Sequence, residues 1–271
     1  MVRTVLHYFS VAHYSFKLSI QKQLEYPINL VTWFLIIPLQ AFGGILLLRI
    51  IILRFQPLAG WTFGEIAFIY ALGYLTQGIQ VSLFLQTWFI GHFIIHGEFD
   101  RILVRPLNTF FLFAFRNVHF NGILDLIPGM IIFIYSSQLI GFVWSFTNII
   151  KLLFVLTGGA LIRTALFMFV GTFSFWFKTR RPASFILQEI LVQFTHYPLN
   201  IYPYFIQVIF TFFIPLAFIS FYPAVGFFNK NKPLIFPFDF SLITLILGGV
   251  LFGLAVRFFK TGLKYYESAG N

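Results

Sequence analysis

Two histidines near the middle of the chain have a spacing that can bind a metal. His92 and His96 lie four residues apart, so on a helix their rings share one face, as two zinc ligands do. The H-E-x-x-H pattern that often accompanies such a pair is missing. A single pair of this kind at the edge of a long apolar stretch is more often interfacial than metal-bound. We therefore predict no metal site.

Three ionisable residues lie within or near long apolar stretches: Asp125, Arg163 and Glu189. A charge at such a position is costly and by default marks either a function or a partner charge. Counting along helices places Asp125 and Glu189 about 10 to 14 Å inside a membrane and Arg163 nearer its middle, at about 1.5 Å per residue. We predict a structural ion pair. Contact with a polar substrate group or helix positioning is the alternative, and a proton relay would need more acidic residues along one path.

The sequence lacks the motifs of nucleotide-dependent enzymes. No G-x-x-x-x-G-K-[ST] occurs, and no glycine is followed by lysine, so a P-loop for ATP phosphates is excluded. The absence of cysteine excludes disulfides, thiolate metal ligands and a cysteine nucleophile. No paired catalytic constellation appears in the apolar stretches. We expect a protein that is not an enzyme and has no cofactor of its own.

The composition shows in what environment these residues lie. Of 271 residues, 59% are hydrophobic, 41 are Phe and only 10% are charged, whereas a soluble domain carries about 25% charged residues. The chain is therefore an integral membrane protein. Its net charge of +10 fits basic residues gathered at one side of a membrane and does not require nucleic acid. Histidine, lysine and glutamine near the N-terminus argue against a cleaved signal peptide.

Four stretches are long enough to cross a bilayer as helices. About 20 apolar residues are needed, because the hydrocarbon core is about 30 Å thick and a helix rises about 1.5 Å per residue. The stretches are 28–48, 66–90, 126–150 and 152–177. The third and fourth are nearly continuous, so we place their boundary within residues 141–148.

The rest of the chain contains three further apolar stretches, 184–197, 204–221 and 240–256. Seven crossings would put the termini on opposite sides, and the distribution of charge argues against this. With both termini cytoplasmic, twelve of the eighteen basic residues lie inside and five outside, as the positive-inside rule requires. Six crossings follow, so one stretch enters and returns on one side. The five outside residues are Arg49, Arg54, Lys151, Lys230 and Lys232.

The stretch interrupted by Pro215 is the best candidate for this re-entrant segment. A broken helix at membrane depth is tolerated where protein buries it or where it lines a cavity. Turn-forming residues precede it, namely Tyr197, Pro198, Tyr202 and Pro203. An alternative gives the same even number of crossings. In it, residues 184–197 would lie on the inner surface and 204–222 would form the complete fifth span.

Residues 1–26 have the pattern of an amphipathic helix. Apolar side chains recur every three or four residues and polar side chains occupy another face. The apolar set is Val5, Phe9, Ala12, Phe16 and Ile20, and the polar set is His7, Ser10, Lys17 and Gln21. We expect this helix to lie along the cytoplasmic interface of the membrane.

Three stretches together resemble a known family. They are GEFDRILVRPLNTFF (97–111), YPLNIYPYFIQVIFTFFIPLAFISFYPA (197–224) and GLKYYESAG (262–270). They look like the membrane subunits of ABC-2 type exporters, specifically a six-span bacterial subfamily, and the similarity covers nearly the whole chain in order. It implies one all-α transmembrane domain with six helices, the interface helix, a re-entrant extracellular region at 198–237 and a cytoplasmic tail at 257–271.

The resemblance also implies partners and a role for the loop at 91–117. ATP and Mg²⁺ are expected on a separate ABC ATPase subunit, and a second permease chain, identical or related, is expected to complete a dimer in the cell membrane. Within the loop, Gly97 would allow a turn, and Pro106 would end a short helix at Arg105. Charged side chains would dock on the ATPase beside an apolar face: Glu98, Asp100, Arg101 and Arg105, with Phe99, Ile102 and Leu103.

Other functions remain as alternatives to this interpretation. The 97–108 stretch could be an ordinary amphipathic connecting loop. The chain could also be a secondary transporter or channel driven by an ion gradient. Such a protein would be indicated by internal duplication or a line of intramembrane carboxylates, and neither is apparent in the sequence. An intramembrane enzyme ranks third.

Overall fold

The computed structural model describes residues 14, 17–19, 21, 25, 27–55, 60–114, 119–177, 183–228 and 240–267, and the regular structure in these ranges is entirely helical. In chain order the helices are α1 (Pro27–Phe55), α2 (Phe63–Phe84), α3 (Ile90–Ile95), α4 (Asp100–Leu103), α5 (Thr109–Ala114), α6 (Phe120–Leu139), α7 (Phe146–Thr172), α8 (Ser174–Phe177), α9 (Ala183–Thr195), α10 (Tyr204–Val208), α11 (Phe221–Phe227) and α12 (Phe240–Leu263). Among the described residues, the helical runs built on α1, α2, α6, α7 and α12 are long and apolar enough to cross a membrane.

Most of the amphipathic helix expected at 1–26 lies outside the described residues. The few residues that are described there, such as Lys17, Leu18 and Gln21, are helical and exposed to different degrees. The position of this segment along a membrane surface therefore stays a prediction.

Two tryptophans mark opposite ends of the second crossing. Trp61 lies just before α2, and Trp88 lies in the 3₁₀ turn Leu85–Phe89 that extends it. We call the two ends of the molecule the Trp61 end and the Trp88 end. Helix α6 runs back antiparallel to α2, because the His119 amide donates to the Ser82 carbonyl (3.3 Å) at one end and Leu139 lies against Gly64 at the other.

The third crossing begins earlier than its apolar pattern suggests. Helix α6 starts at Phe120 and ends at Leu139, so the expected span at 126–150 was placed six to eleven residues too far along the chain. The polar residues near its start stay helical because they meet α2. Gly141 then turns the chain with a positive φ of 67°, and Ser145 caps α7 by accepting from the Asn148 amide. The turn therefore falls within residues 141–148, as predicted.

Small residues let neighbouring helices approach closely. At the crossing of α2 and α6, a Cβ added to Gly78 would lie 2.9 Å from the Gly122 carbonyl oxygen. At the crossing of α7 and α12, a Cβ on Gly158 would lie 2.5 Å from the Thr244 carbonyl oxygen, and one on Gly248 would meet Gly158. Close backbone approach of this kind is a main source of helix association in membranes.

The fifth crossing is made by α9 and the short turn after it. At the Trp88 end, the Ser184 hydroxyl donates to the Trp88 carbonyl (2.8 Å). At the Trp61 end, the Trp61 indole donates to the Asn200 side chain (2.8 Å). Residues 184–200 therefore run from one end of the molecule to the other. The alternative in which 184–197 lies on a membrane surface is wrong.

A bent hairpin follows, and it begins and ends beside Trp61. The ring of Phe228, at its far end, lies 5.9 Å from the Trp61 ring, which is the same side chain that binds Asn200. The two limbs, 204–213 and 216–227, meet at an angle of 77° around Pro215. The tip reaches the middle of the bundle, where the Ser220 hydroxyl donates to the Thr195 carbonyl. The hairpin therefore returns to the end at which it began, as a re-entrant segment does. By length and apolar content alone the described helices provide five crossings, and counting α9 gives six.

Candidate coupling site

The 97–108 loop begins with a turn that glycine permits. Helix α3 ends at Ile95, and Gly97 has a φ of +66°, a conformation that costs a residue with a Cβ more than it costs glycine. The Gly97 amide donates to the Ile94 carbonyl (3.3 Å) and the Glu98 amide donates to the Phe93 carbonyl (3.0 Å). These bonds satisfy carbonyls at the helix end in the manner of a glycine C-cap. The turn directs the side chain of Phe99, two residues after Gly97, back toward the bundle.

Phe99 is fully buried in a cluster of five aromatic rings. Its ring centroid lies 5.4 to 5.9 Å from those of its neighbours, which come from five parts of the chain; we call them the aromatic socket: Phe93, Phe113, Phe175, Phe259 and Tyr266. Edge-to-face and offset contacts at such distances stabilise a pair by about 0.5–1.5 kcal/mol beyond area burial. The loop is thereby fixed to the Trp88 ends of α8 and α12.

The residues after Phe99 divide between an inner and an outer face. Ile102 is buried with the socket residues, whereas Leu103 is 43% exposed and Val104 84% exposed. Helix α4 ends at Leu103, two residues before Arg105. Five residues form what we call the outer face of the loop: Arg101, Leu103, Val104, Arg105 and Pro106. The apolar face expected from the sequence is therefore split, because Phe99 and Ile102 pack inward and cannot meet a partner.

Asp100 and Glu98 link the loop to its neighbours by charge. Asp100 lies close to the Tyr266 hydroxyl, and burial, reinforced by this carboxylate, raises the pKa of Tyr266 to about 12. Glu98 Oε1 lies 3.6 Å from His92 Nδ1. Both charged residues therefore face other parts of this chain, and of the four predicted docking charges the outer face carries Arg101 and Arg105.

The histidine pair does stack on one helix face. The rings of His92 and His96 lie 4.0 Å apart at an angle of 24°. Within the described ranges no group of three His, Asp or Glu side chains could hold a metal ion. The prediction about metal rested on the missing H-E-x-x-H pattern and on the position of the pair at the edge of an apolar stretch.

Arg163 lies fully buried at the centre of the bundle and ties three elements together. Its Nη2 donates to the Thr195 hydroxyl (2.6 Å) in α9 and to the Gly73 carbonyl (3.3 Å) in α2. The Thr195 carbonyl in turn accepts a hydrogen bond from the Ser220 hydroxyl of the re-entrant hairpin. Nε and Nη1 of Arg163 have no hydrogen-bond partner among the described residues. The arginine therefore holds α7, α2 and the hairpin in register through neutral groups.

The expected ion pair among the intramembrane residues is not formed. Asp125 is buried in α6 and interacts electrostatically with Arg163 over a longer distance, but its hydrogen-bonding neighbour is Gln77. In the part of the chain that the structure describes, no salt bridge joins Arg163 to Asp125 or to Glu189. Glu189 is exposed on the outer side of α9. Asp125 therefore meets a side-chain amide, that of Gln77, in place of a charged partner. The Gln188 amide in turn donates to Gln77 Oε1 (3.4 Å).

Two polar features escaped the sequence interpretation. Glu65 is buried at the start of α2, where it forms a capping box with Thr62 (2.8 Å to the Thr62 amide); the T-x-x-E spacing could have revealed it. His196 is buried and stacks on Tyr74 at 4.9 Å, and no local pattern marks that contact. The turn residues near it are ordered as expected: Pro198 begins a 3₁₀ turn that Tyr202 ends, and Pro203 begins α10.

The six crossings, the re-entrant hairpin and the polar ties between helices define an all-α multi-span membrane protein. A family model described as "ABC-2 family transporter protein" matches residues 38–270. The chain therefore belongs to the ABC-2 transporter family, which confirms the resemblance drawn from the three stretches. No curated protein and no solved structure matches it.

Proposed function

We propose that this chain is the permease subunit of an ATP-driven exporter and that its 97–108 loop docks on a separate ABC ATPase. The observation that carries the proposal is the burial of Phe99 in the aromatic socket. A loop that only connected two spans would need no such anchor. Here a short helix that projects from the membrane end is joined to two other spans of the bundle.

The division of the loop into two faces suits the transmission of work. The outer face offers the guanidinium groups of Arg101 and Arg105 and the apolar side chains of Leu103 and Val104, and these are exposed and available to a partner. Arginine is enriched among interface hot spots, so Arg101 and Arg105 are the side chains of this face that are best suited to bind a partner. The inner face fixes the loop to α8 and α12. A displacement of the outer face would therefore move the Trp88 ends of both elements.

The energy for transport must come from a partner in this proposal. The sequence contains no P-loop, so ATP and Mg²⁺ would bind the ATPase. The family membership supports a membrane subunit that is not itself catalytic. The direction of transport follows from the resemblance to exporters.

The proposed orientation puts the Trp88 end in the cytoplasm of a cell with this protein in its plasma membrane. Basic residues of the described ranges are more numerous there, and the positive-inside rule assigns the richer end to the cytoplasm. They are Arg101, Arg105, Arg257, Lys260 and Lys264, against Arg49, Arg54 and Lys151 at the Trp61 end. Both termini then lie inside, and the hairpin opens to the outside.

We further propose that the transport pathway forms between this chain and a second permease chain, identical or related. Large apolar side chains are exposed along the whole of α1, including Leu39 and Leu53. Lipid or a second permease can cover them. The dimer is supported by the resemblance. Co-purification would show whether its two chains are identical or related.

A cysteine cross-link tests the docking proposal directly, because the chain has no native cysteine. Val104→Cys on the outer face should cross-link to an ABC ATPase co-expressed with the chain when a short bifunctional maleimide is added. Leu53→Cys, which is similarly exposed but lies at the Trp61 end, is the matched control. A cross-linked ATPase with Leu53→Cys and none with Val104→Cys would reject the proposed interface.

A further inference from the structure

A cavity of about 510 Å³ lies at the Trp88 end of the bundle. Its walls come from the 3₁₀ turn and α3, from the end of α7 with α8, and from the first residues of α9. It is separate from the outer face of the 97–108 loop. The volume exceeds that of several water molecules, at about 30 Å³ each, so the cavity can accept a sizeable chemical group.

Four of the described lining residues carry hydrogen-bonding side chains, and none of the described lining residues is acidic. The polar groups belong to His92, His96, Ser174 and Ser184. The two imidazoles are stacked at 4.0 Å, and His96 Nδ1 is held by the His92 carbonyl at 2.9 Å. Because a carbonyl only accepts, this nitrogen carries the proton and fixes the ring. The Nε2 atoms of both rings make no hydrogen bond within the described residues. Because His96 carries a proton on Nδ1, its Nε2 donates to a ligand only when the ring is an imidazolium.

The other large lining side chains are apolar, and Trp88 is held in place on two sides. The Trp88 ring stacks on Phe167 at 4.7 Å, and its indole N–H donates to Gln80 Oε1 (3.3 Å). Ile95 and Val170 also line the cavity. A cavity lined by both polar and apolar side chains suits an amphiphilic ligand.

Exposed aromatic side chains lie near the cavity in sequence. Phe177 is 72% exposed and lies three residues after the lining residue Ser174, and Phe185 is 57% exposed and directly follows Ser184. Large exposed aromatic side chains of this kind are expected where a protein faces acyl chains. The lining residues His92 and His96 are also exposed, and they directly precede the 97–108 loop. This arrangement is the one expected of a cavity with one rim toward lipid and the other toward water.

We propose that this cavity binds the phosphate headgroup of an anionic phospholipid from the leaflet at the Trp88 end. His92 and His96, as imidazolium rings, donate to the phosphate oxygens, and Trp88, Ile95 and Val170 contact the glycerol and the first acyl carbons. An anionic headgroup is favoured over a neutral one, because hydrogen bonds from a charged donor to an anion are stronger than those between neutral groups. The site goes beyond the proposed coupling function and does not depend on it.

The same site adjoins the loop through one contact. Glu98, the residue after Gly97, lies 3.6 Å from His92. A phosphate bound to His92 changes the electrostatic surroundings of Glu98. Lipid binding at the cavity therefore has an electrostatic effect on the start of the 97–108 loop.

Native mass spectrometry of the full-length purified chain with dioleoyl phosphatidylglycerol tests the proposal. Ala183→Trp fills the cavity from an exposed lining position, and Ile186→Trp adds the same ring three residues further on the same helix, at a site that is 67% exposed and does not line the cavity. We expect Ala183→Trp to bind the lipid about tenfold more weakly than Ile186→Trp, a difference of about 1.4 kcal/mol. Equal retention by the two variants would overturn the proposal.

Two further measurements identify which side chains bind the lipid and whether the site takes a lipid or free phosphate. The His92→Gln, His96→Gln variant keeps the cavity open but loses the imidazoles, and we expect its preference for phosphatidylglycerol over dioleoylglycerol to disappear. An unchanged preference would overturn the assignment of these residues. Inorganic phosphate should not displace the lipid at millimolar concentration; displacement would show that the site takes free phosphate and would overturn its assignment to a lipid.

Discussion

The ring of Phe99 lies 5.7 Å from the ring of Tyr266, so a loop after the second crossing and the tail after the last crossing meet in one cluster. The two residues are far apart in sequence, and each follows a different membrane helix. Phe175 and Phe259 complete the contact. The Trp88 end of the bundle is thereby closed by aromatic packing around a single side chain.

Removing that side chain should loosen the Trp88 end. Phe99→Ala leaves a cavity inside the aromatic socket, and truncation of a buried phenylalanine costs about 3–5 kcal/mol. We expect a clear fall in the thermal unfolding temperature measured in detergent. Phe177→Ala, a truncation of an exposed ring, is the control and should have a small effect. Equal shifts for the two variants would show that the socket is not the anchor.

The tie between Arg163 and Thr195 should be needed for the stability of the bundle. Thr195→Val keeps the shape of the side chain but removes the acceptor of Arg163 Nη2, and loss of a hydrogen bond to a buried charged group costs about 1.5–3 kcal/mol. Thr76→Val is the matched control, because the buried Thr76 hydroxyl bonds only carbonyls of its own helix. Chemical denaturation in mixed micelles compares the two. A larger loss for Thr76→Val would contradict the tie.

Adjacent glycines in α12 should respond differently to alanine. A Cβ on Gly248 meets the backbone of Gly158 in α7, whereas one on Gly249 has no atom within 4 Å. Gly248→Ala should destabilise the protein by about 1–3 kcal/mol, as overpacking does. Gly249→Ala should cause no loss, since alanine is the better helix former by about 1 kcal/mol. The thermal unfolding temperatures of the two variants test this difference. A lower temperature for Gly249→Ala than for Gly248→Ala would show that α7 and α12 do not cross at Gly158.

Most of the crossings could be predicted from the sequence, because their length and apolar content are local properties. The bend at Pro215 and the turn around Gly141 were predictable for the same reason. The start of α6 was not, since the residues before Leu124 include polar side chains, and these residues lie in a helix whose Gly122 packs closely against α2. A pattern of hydrophobicity does not record which neighbouring helix will accept a polar residue.

The candidate site was only partly predictable. The charges and the proline of the 97–108 loop stand out against apolar flanks, but no pattern distinguishes the buried Phe99 from the other phenylalanines of a chain with 41. The partners of Arg163 were also hidden, because its nearest acceptor is 32 residues away in sequence and is a neutral hydroxyl. A search for opposite charges therefore favoured an ion pair with one of the two carboxylates, Asp125 or Glu189.

The proposed topology can be tested with an impermeant thiol reagent on intact cells. Arg101→Cys should react only after the membrane is opened, because the loop is proposed to be cytoplasmic. Asn231→Cys, between α11 and α12 and outside the described residues, should react from the outside. The cysteine-free background makes the labelling specific. Opposite labelling of the two positions would contradict the orientation.

The central claim is that the outer face of the 97–108 loop transmits work from an ATPase, and the most direct test measures transport in proteoliposomes that contain the chain with its ATPase. In the Arg101→Glu, Arg105→Glu variant both guanidinium groups are reversed. Arg54→Glu reverses an exposed arginine at the other end of the molecule and serves as the control. Exposed ion pairs contribute only about 0–1 kcal/mol, whereas loss of a buried interfacial charge costs about 2–5 kcal/mol. We predict normal membrane abundance for both variants, with transport and ATPase co-purification reduced more than about tenfold in the double variant alone. Normal transport and normal co-purification in the double variant would show that the loop is only a connection between two spans.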